Sequence, residues 1–159
     1  MRLSTSLTAL SMVLAGSQLA HAQSPGRPAP TKPDPIPTAV QTSAGQYEAL
    51  AKARKPKGTA REALDDARKL ARAPATIAQS VDRYLDAAQL DMNSAVVWLE
   101  LADTLLALPP KDGQDNGRVH AANAAAAAAL GYRRAKTDGE RARALATLSK
   151  SFERRGQHR

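Results

Sequence analysis

The chain has 159 residues, a formal charge of +8 at neutral pH, 3% aromatic residues and no cysteine. That length suits one modest domain, and the absence of cysteine excludes a disulfide framework, thiolate metal sites and a lipid-modified N-terminal cysteine. Apolar content is mostly alanine and leucine, so a core has to come from thin helices packed closely.

The opening segment MRLSTSLTALSMVLAGSQLAHAQ has a positive start at Arg2, a short apolar run from Leu7 to Ala15, and the small-residue site Ala20-His21-Ala22. This is the pattern of a secretory signal peptide over 1–22, with cleavage expected after Ala22. The apolar run is shorter than the roughly 20 residues a membrane span needs. The mature chain is therefore expected in the periplasm or outside the cell. Residues 23–45 follow as a proline-rich tether. Proline lacks the amide donor that a helix or a strand ladder requires, so Pro25 to Pro37 reads as an extended, solvated spacer.

From Tyr47 onward the pattern is helical, and 46–159 is expected to form one helical domain. Three candidate capping boxes open apolar periodic runs: Thr59 with Glu62, Thr76 with Gln79, and Thr137 with Glu140. The run after Thr76 places Ile77, Val81, Tyr84, Leu85 and Ala88 at helical spacing. The next places Trp98, Leu101, Ala102 and Leu105 on one side, with Val97 and Leu108 widening the face. Pro74 turns the chain after the first helix, and Asn93 or Ser94 is the expected cap of the third. The stretch HAANAAAAAALGYRR is an alanine helix, slim enough to nestle deep between others. The last run carries Leu145, Leu148 and Phe152 and stops at Gly156.

These runs repeat. Leu64, Ala67 and Ala71 form a pattern that returns at Trp98, Leu101, Ala102 and Leu105, and 34 positions separate Leu64 from Trp98. In the partner helix, Ser80, Tyr84 and Ala87 form a small–aromatic–small series. Small residues let two helices approach, and the ring fills the groove between hairpins. A third copy, at Leu145, Leu148, Ser149 and Phe152, is displaced by a longer loop, LPPKDGQDNGR. The period and the series resemble tetratricopeptide repeats. Met92 stands where that family usually has proline, and Ala102 where it often has glycine. The fold expected is all-α, a stack of about two and a half hairpins, at about 59–91 and 94–135, with an unpaired helix at about 138–155.

A narrower resemblance covers AAAAAALGYRRAKTDGERARALATLSKSFERRGQ. With the signal peptide and the hairpins before it, this stretch is similar to the N-terminal region of bacterial α2-macroglobulin-like envelope proteins. In that family a short tetratricopeptide-like segment precedes a series of β-sandwich domains, and the chain runs on into the next helix. Three expectations follow for the last helix: a truncated reading frame of the larger protein, a cap with Lys150, Arg154 and Arg155 as its wet face, or a stripe that docks a partner helix. Trapping of proteases does not carry over, since no sandwich domain or thioester cysteine is in this sequence.

No catalytic constellation is legible. His120 and His158 lack a metal-ligand partner at i+3 or i+4. Asp65 with Asp66, and Asp82 with Asp86, lie near Arg68, Lys69 and Arg83 and read as solvated ion pairs. Asp112, Asp115 and Asn116 offer calcium-type oxygens but lack the terminal bidentate glutamate, so the segment reads as a loop. The expected function is a non-catalytic protein-interaction module that needs no cofactor or metal. It would bind a protein or peptide through the repeat groove or the C-terminal helix, with no specific nucleic acid and no membrane span. The alternative is a basic adaptor for anionic polymer, nucleic acid or lipid headgroups.

Overall fold

The computed structural model describes residues 34–109 and 116–156, with Asn116 described by its backbone alone. The expected signal peptide, residues 23–33 of the tether and the acidic part of the long loop lie outside the described residues. Within them the fold is all-α, with six helices: α1 (Thr38–Lys52), α2 (Ala60–Ala71), α3 (Ile77–Leu90), α4 (Ala95–Ala107), α5 (Asn116–Arg134) and α6 (Asp138–Arg154). Helices α2 with α3, α4 with α5, and α5 with α6 pack as hairpin-like pairs. Helix α4 also packs on α3 and α6, while α1 lies against α5 and α3. This is a stacked helical-repeat arrangement.

Helix α1 begins at Thr38, so residues 38–45, expected in the tether, are helical. Ile36, Val40, Ala44 and Ala51 are all buried and recur at helical intervals. This stripe is what holds α1 down, and the prolines just before it hid it from a composition-based reading. Gln41 Nε2 donates to the Ile36 carbonyl at 2.9 Å and to Asp34 at 3.0 Å, and so fixes the entry.

Two of the three capping boxes form. The Thr59 hydroxyl accepts from the Glu62 amide at 3.2 Å, and Glu62 Oε2 accepts from the Thr59 amide at 2.8 Å. Thr137 and Glu140 make the same reciprocal pair at 3.2 and 3.1 Å. Backbone amide donors hold both carboxyls below their ordinary range, that of Thr59 for Glu62 and those of Lys136 and Thr137 for Glu140. Thr76 does not cap α3. Its hydroxyl donates backwards to the Leu70 carbonyl at 2.7 Å and the Ala73 carbonyl at 3.3 Å. The turn at Pro74 is tight, and proline offers no amide to the Leu70 carbonyl four residues before it, so that carbonyl takes the Thr76 hydroxyl instead. Ser94 occupies the N-cap position of α4 without a side-chain bond.

The core centres on α5. Ala121, Ala124 to Ala129 and Leu130 are buried, on every side of the helix, because α1, α4 and α6 surround it. Gly131 extends this close approach. A Cβ there would lie 2.7 Å from Leu99 Cδ2 and 3.5 Å from the Ala95 carbonyl oxygen. Leu99 is itself buried, so its side chain has little room to yield.

Of the core residues expected from the repeat, Ala67, Ser80, Tyr84, Ala87, Trp98, Leu101, Ala102, Leu105 and Leu148 are buried. Leu64, Ala71 and Phe152 are half-buried. Leu145 is a correction: it is 40% exposed. The face that α6 buries runs through Ala144, Thr147, Leu148 and Ser151, one position off the leucine stripe. Small side chains bring α6 close to α5, and Leu145 falls on the opposite flank. Gly156 ends the helix at φ 69°, a left-handed backbone that favours glycine.

Candidate functional site

The first helices of successive units, α2, α4 and α6, share one surface, and α3 contributes Tyr84 to its floor. On α4, Glu100, Asp103 and Thr104 lie three and four positions apart and so project from one side. Arg68 of α2 grips Glu100 with two parallel bonds, Nε to Oε2 at 2.8 Å and a terminal nitrogen to Oε1 at 2.7 Å. Arg143 of α6 donates to Asp103 Oδ2 at 2.6 Å, and the Thr147 hydroxyl donates to Oδ1 of the same carboxylate at 3.1 Å. Two charged rungs thus join α2 to α4 and α4 to α6. The bidentate rung has the geometry in which arginine–carboxylate pairing is strongest.

Between the rungs lies a cleft of about 390 Å3, lined by Arg68, Arg72, Tyr84, Glu100, Asp103 and Arg143 among others. The Tyr84 hydroxyl donates to Glu100 Oε2 at 3.4 Å. Burial, and then the Glu100 charge, raise the Tyr84 pKa, so the phenol stays neutral and is a fixed donor. The bonds from Arg68 to Glu100 push the Arg68 pKa up. Arg72 has no partner among the described residues. The lining therefore carries three guanidinium groups against two carboxylates.

Behind the groove, Arg134 locks the stack. Its guanidinium lies 5.5 Å from the centroid of the Trp98 ring and pairs with Glu48 of α1 at 3.2 Å. Its Nε donates to the Met92 carbonyl, which also accepts from Trp98 Nε1 at 3.2 Å. The bond from Lys52, then that from Arg134, hold the Glu48 carboxyl below its usual range. Arg154 donates to the Leu106 and Leu108 carbonyls at the end of α4, so it joins α6 to α4, while Lys150 and Arg154 stay exposed and Arg155 is half-buried.

Sequence reasoning identified Tyr84, Trp98 and the small residues around them, which the structure brings together. It missed Arg54, Glu100, Asp103, Gly131, Arg134 and Arg143. It also placed Asp86 among solvated pairs, whereas Asp86 is 8% exposed and accepts from Arg54 Nε at 2.6 Å, 32 positions away. A charge on the flank of an apolar stripe marks such partners only as a class, because the pairing is set by which helices become neighbours. Asp65, by contrast, does make exposed local pairs with Arg61 and Arg68. Asp112 and Asp115 lie outside the described residues.

Among the described residues, no group of three or more His, Cys, Asp or Glu side chains is placed to hold a metal. No described helix is long and apolar enough to cross a membrane. The chain matches no family model, no curated protein and no solved structure.

Proposed function

We propose that this chain is a non-catalytic, tetratricopeptide-like interaction module of about two and a half hairpins that holds an extended peptide segment in the groove of α2, α4 and α6. The observation that carries this reading is the cleft between the two charged rungs. Its donors and acceptors are positioned before any ligand arrives, which lowers the ordering cost of binding. Arg72 and the rim of Arg143 and Asp103 can take charged side chains of a peptide, and the Tyr84 ring and Ala71 give it an apolar floor.

The signal pattern ending at Ala22 supports export to the periplasm or beyond. The similarity of residues 124–157 supports an origin in the N-terminal region of an α2-macroglobulin-like envelope protein. Sequencing the N-terminus of the exported chain checks the first point. Gln23 is the expected first residue, and retention of Met1 would remove the export reading.

A peptide library panned against the full chain tests the groove. The selected peptide should shift the amide resonances of Tyr84, Asp103, Thr104 and Arg143. Asp103→Lys should weaken its binding by about tenfold, the loss of roughly one charge-assisted bond. A footprint confined to α1 and the far side of α5, or no enrichment above background, would contradict the groove.

A further inference from the structure

We propose a second site, distinct from the groove: the cleft between the α1–α2 connection and α3 binds a phosphate-class dianion. Arg54, Lys55 and Lys57 from the connection and Arg83 from α3 line a cleft of about 580 Å3, whose lining includes one carboxylate, Asp86. That carboxylate is already committed. One oxygen accepts from Arg54 Nε at 2.6 Å and the other from Arg83 at 3.4 Å. Asp82, on the rim, accepts from Arg54 at 3.0 Å. Four cations thus stand against two acids, and Lys55 and Lys57 have no partner among the described residues. The excess of two positive charges matches a dianion.

The backbone presents the two lysines together. Pro56 fixes its own φ and biases Lys55 toward an extended conformation, and in an extended segment residues two apart point the same way. Both ends of the segment are held. Arg54 is clamped to α3 through Asp86, and at the other end Thr59 is clamped to Glu62. Gly58 makes the turn into that cap at φ 88°, and a Cβ there would meet Glu62 Oε2 at 2.8 Å. The ammonium groups are therefore carried on a fixed frame. Lysine binds phosphate as a point charge, and the volume leaves room for a diphosphate or for a phosphomonoester with its carrier group.

Titration of the full chain with sodium pyrophosphate at about 150 mM sodium chloride, followed by amide resonances, tests the site. Saturable binding at one equivalent, with shifts at Lys57, Gly58 and Arg83, is expected. The double variant Lys55→Ala, Lys57→Ala should weaken it by about tenfold or more without moving the melting temperature. Lys150→Ala, on the exposed flank of α6, should change nothing. Vesicles distinguish the source of the phosphate. Binding to phosphatidic acid but not to phosphatidylglycerol assigns a monoester lipid headgroup, whereas binding of pyrophosphate with neither vesicle assigns a soluble ligand. Equal binding to both vesicles, a non-saturating titration, or a double variant that binds like the parent would overturn the site.

Discussion

Helices α5 and α6 are neighbours of similar length, 19 and 17 residues, and they bury themselves in opposite ways. Helix α5 is built almost entirely of alanine between Ala121 and Ala129, yet hardly any of that stretch meets water. Helix α6 has larger apolar side chains, and it leaves Leu145 exposed. Burial here follows the number of flanking helices and the thinness of the rod, not the size of the apolar side chain. Alanine adds little transfer energy of its own, roughly 0.8 kcal/mol per buried methylene-sized group. What it allows is the close approach of α1, α4 and α6 around one axis, and with it the burial of Trp98, Leu99, Leu101 and Leu130.

The contrast is sharpest at Trp98, which holds in α4 the repeat position that Leu145 holds in α6. Trp98→Ala should destabilise the fold by about 3–5 kcal/mol, read by urea denaturation. A cost similar to that of Leu145→Ala would break the comparison. Next in size is overpacking. Gly131→Leu and Ala127→Leu should each cost about 1–3 kcal/mol or more, while Ala146→Leu on the open flank of α6 should stay within about 0.5 kcal/mol. Arg134→Met keeps the stem but removes the bond to Met92, the pair with Glu48 and the contact over Trp98. It should cost about 2 kcal/mol, most of it visible as faster hydrogen exchange in α1. Among the truncations the smallest effect at neutral pH is Leu145→Ala, at about 1 kcal/mol or less.

A pH profile adds a test of α1. Burial, reinforced by the Asp82 charge, pushes the Tyr47 pKa up to about 12. A raised folded pKa means stability that is complete below the ordinary tyrosine value and is lost as pH rises toward the folded one. Melting temperature should therefore fall between about pH 10 and pH 12. Tyr47→Phe should flatten that part of the curve. An unchanged alkaline limb in the variant would place Tyr47 in water and α1 off the stack.

Much of this architecture was legible in the residues. Thr59–Glu62 and Thr137–Glu140 announce helix starts because both halves of each cap lie within one turn. The spacing from Leu64 to Trp98 announces a repeated unit because equivalent core positions must recur. The readings that failed share a cause. Thr76 was drawn to the carbonyls of α2, Asp86 to an arginine 32 positions away, and Leu145 lost its burial because small residues decided which side of α6 meets α5. Each depends on a neighbour supplied by tertiary packing. The charged rungs of the groove belong to the same class. Arg68 and Glu100 are ordinary surface residues in sequence, and they become a pair only when α2 and α4 are set side by side.

Native-state hydrogen exchange measures the central claim, that α5 is the enclosed axis of the stack. The amides of Ala124 to Leu130 should exchange only through global unfolding, and those of Ala142 to Glu153 should open locally at lower free energy. If the α5 amides exchange as fast as those of α6, or faster, the alanine helix is not enclosed and the account built on it fails.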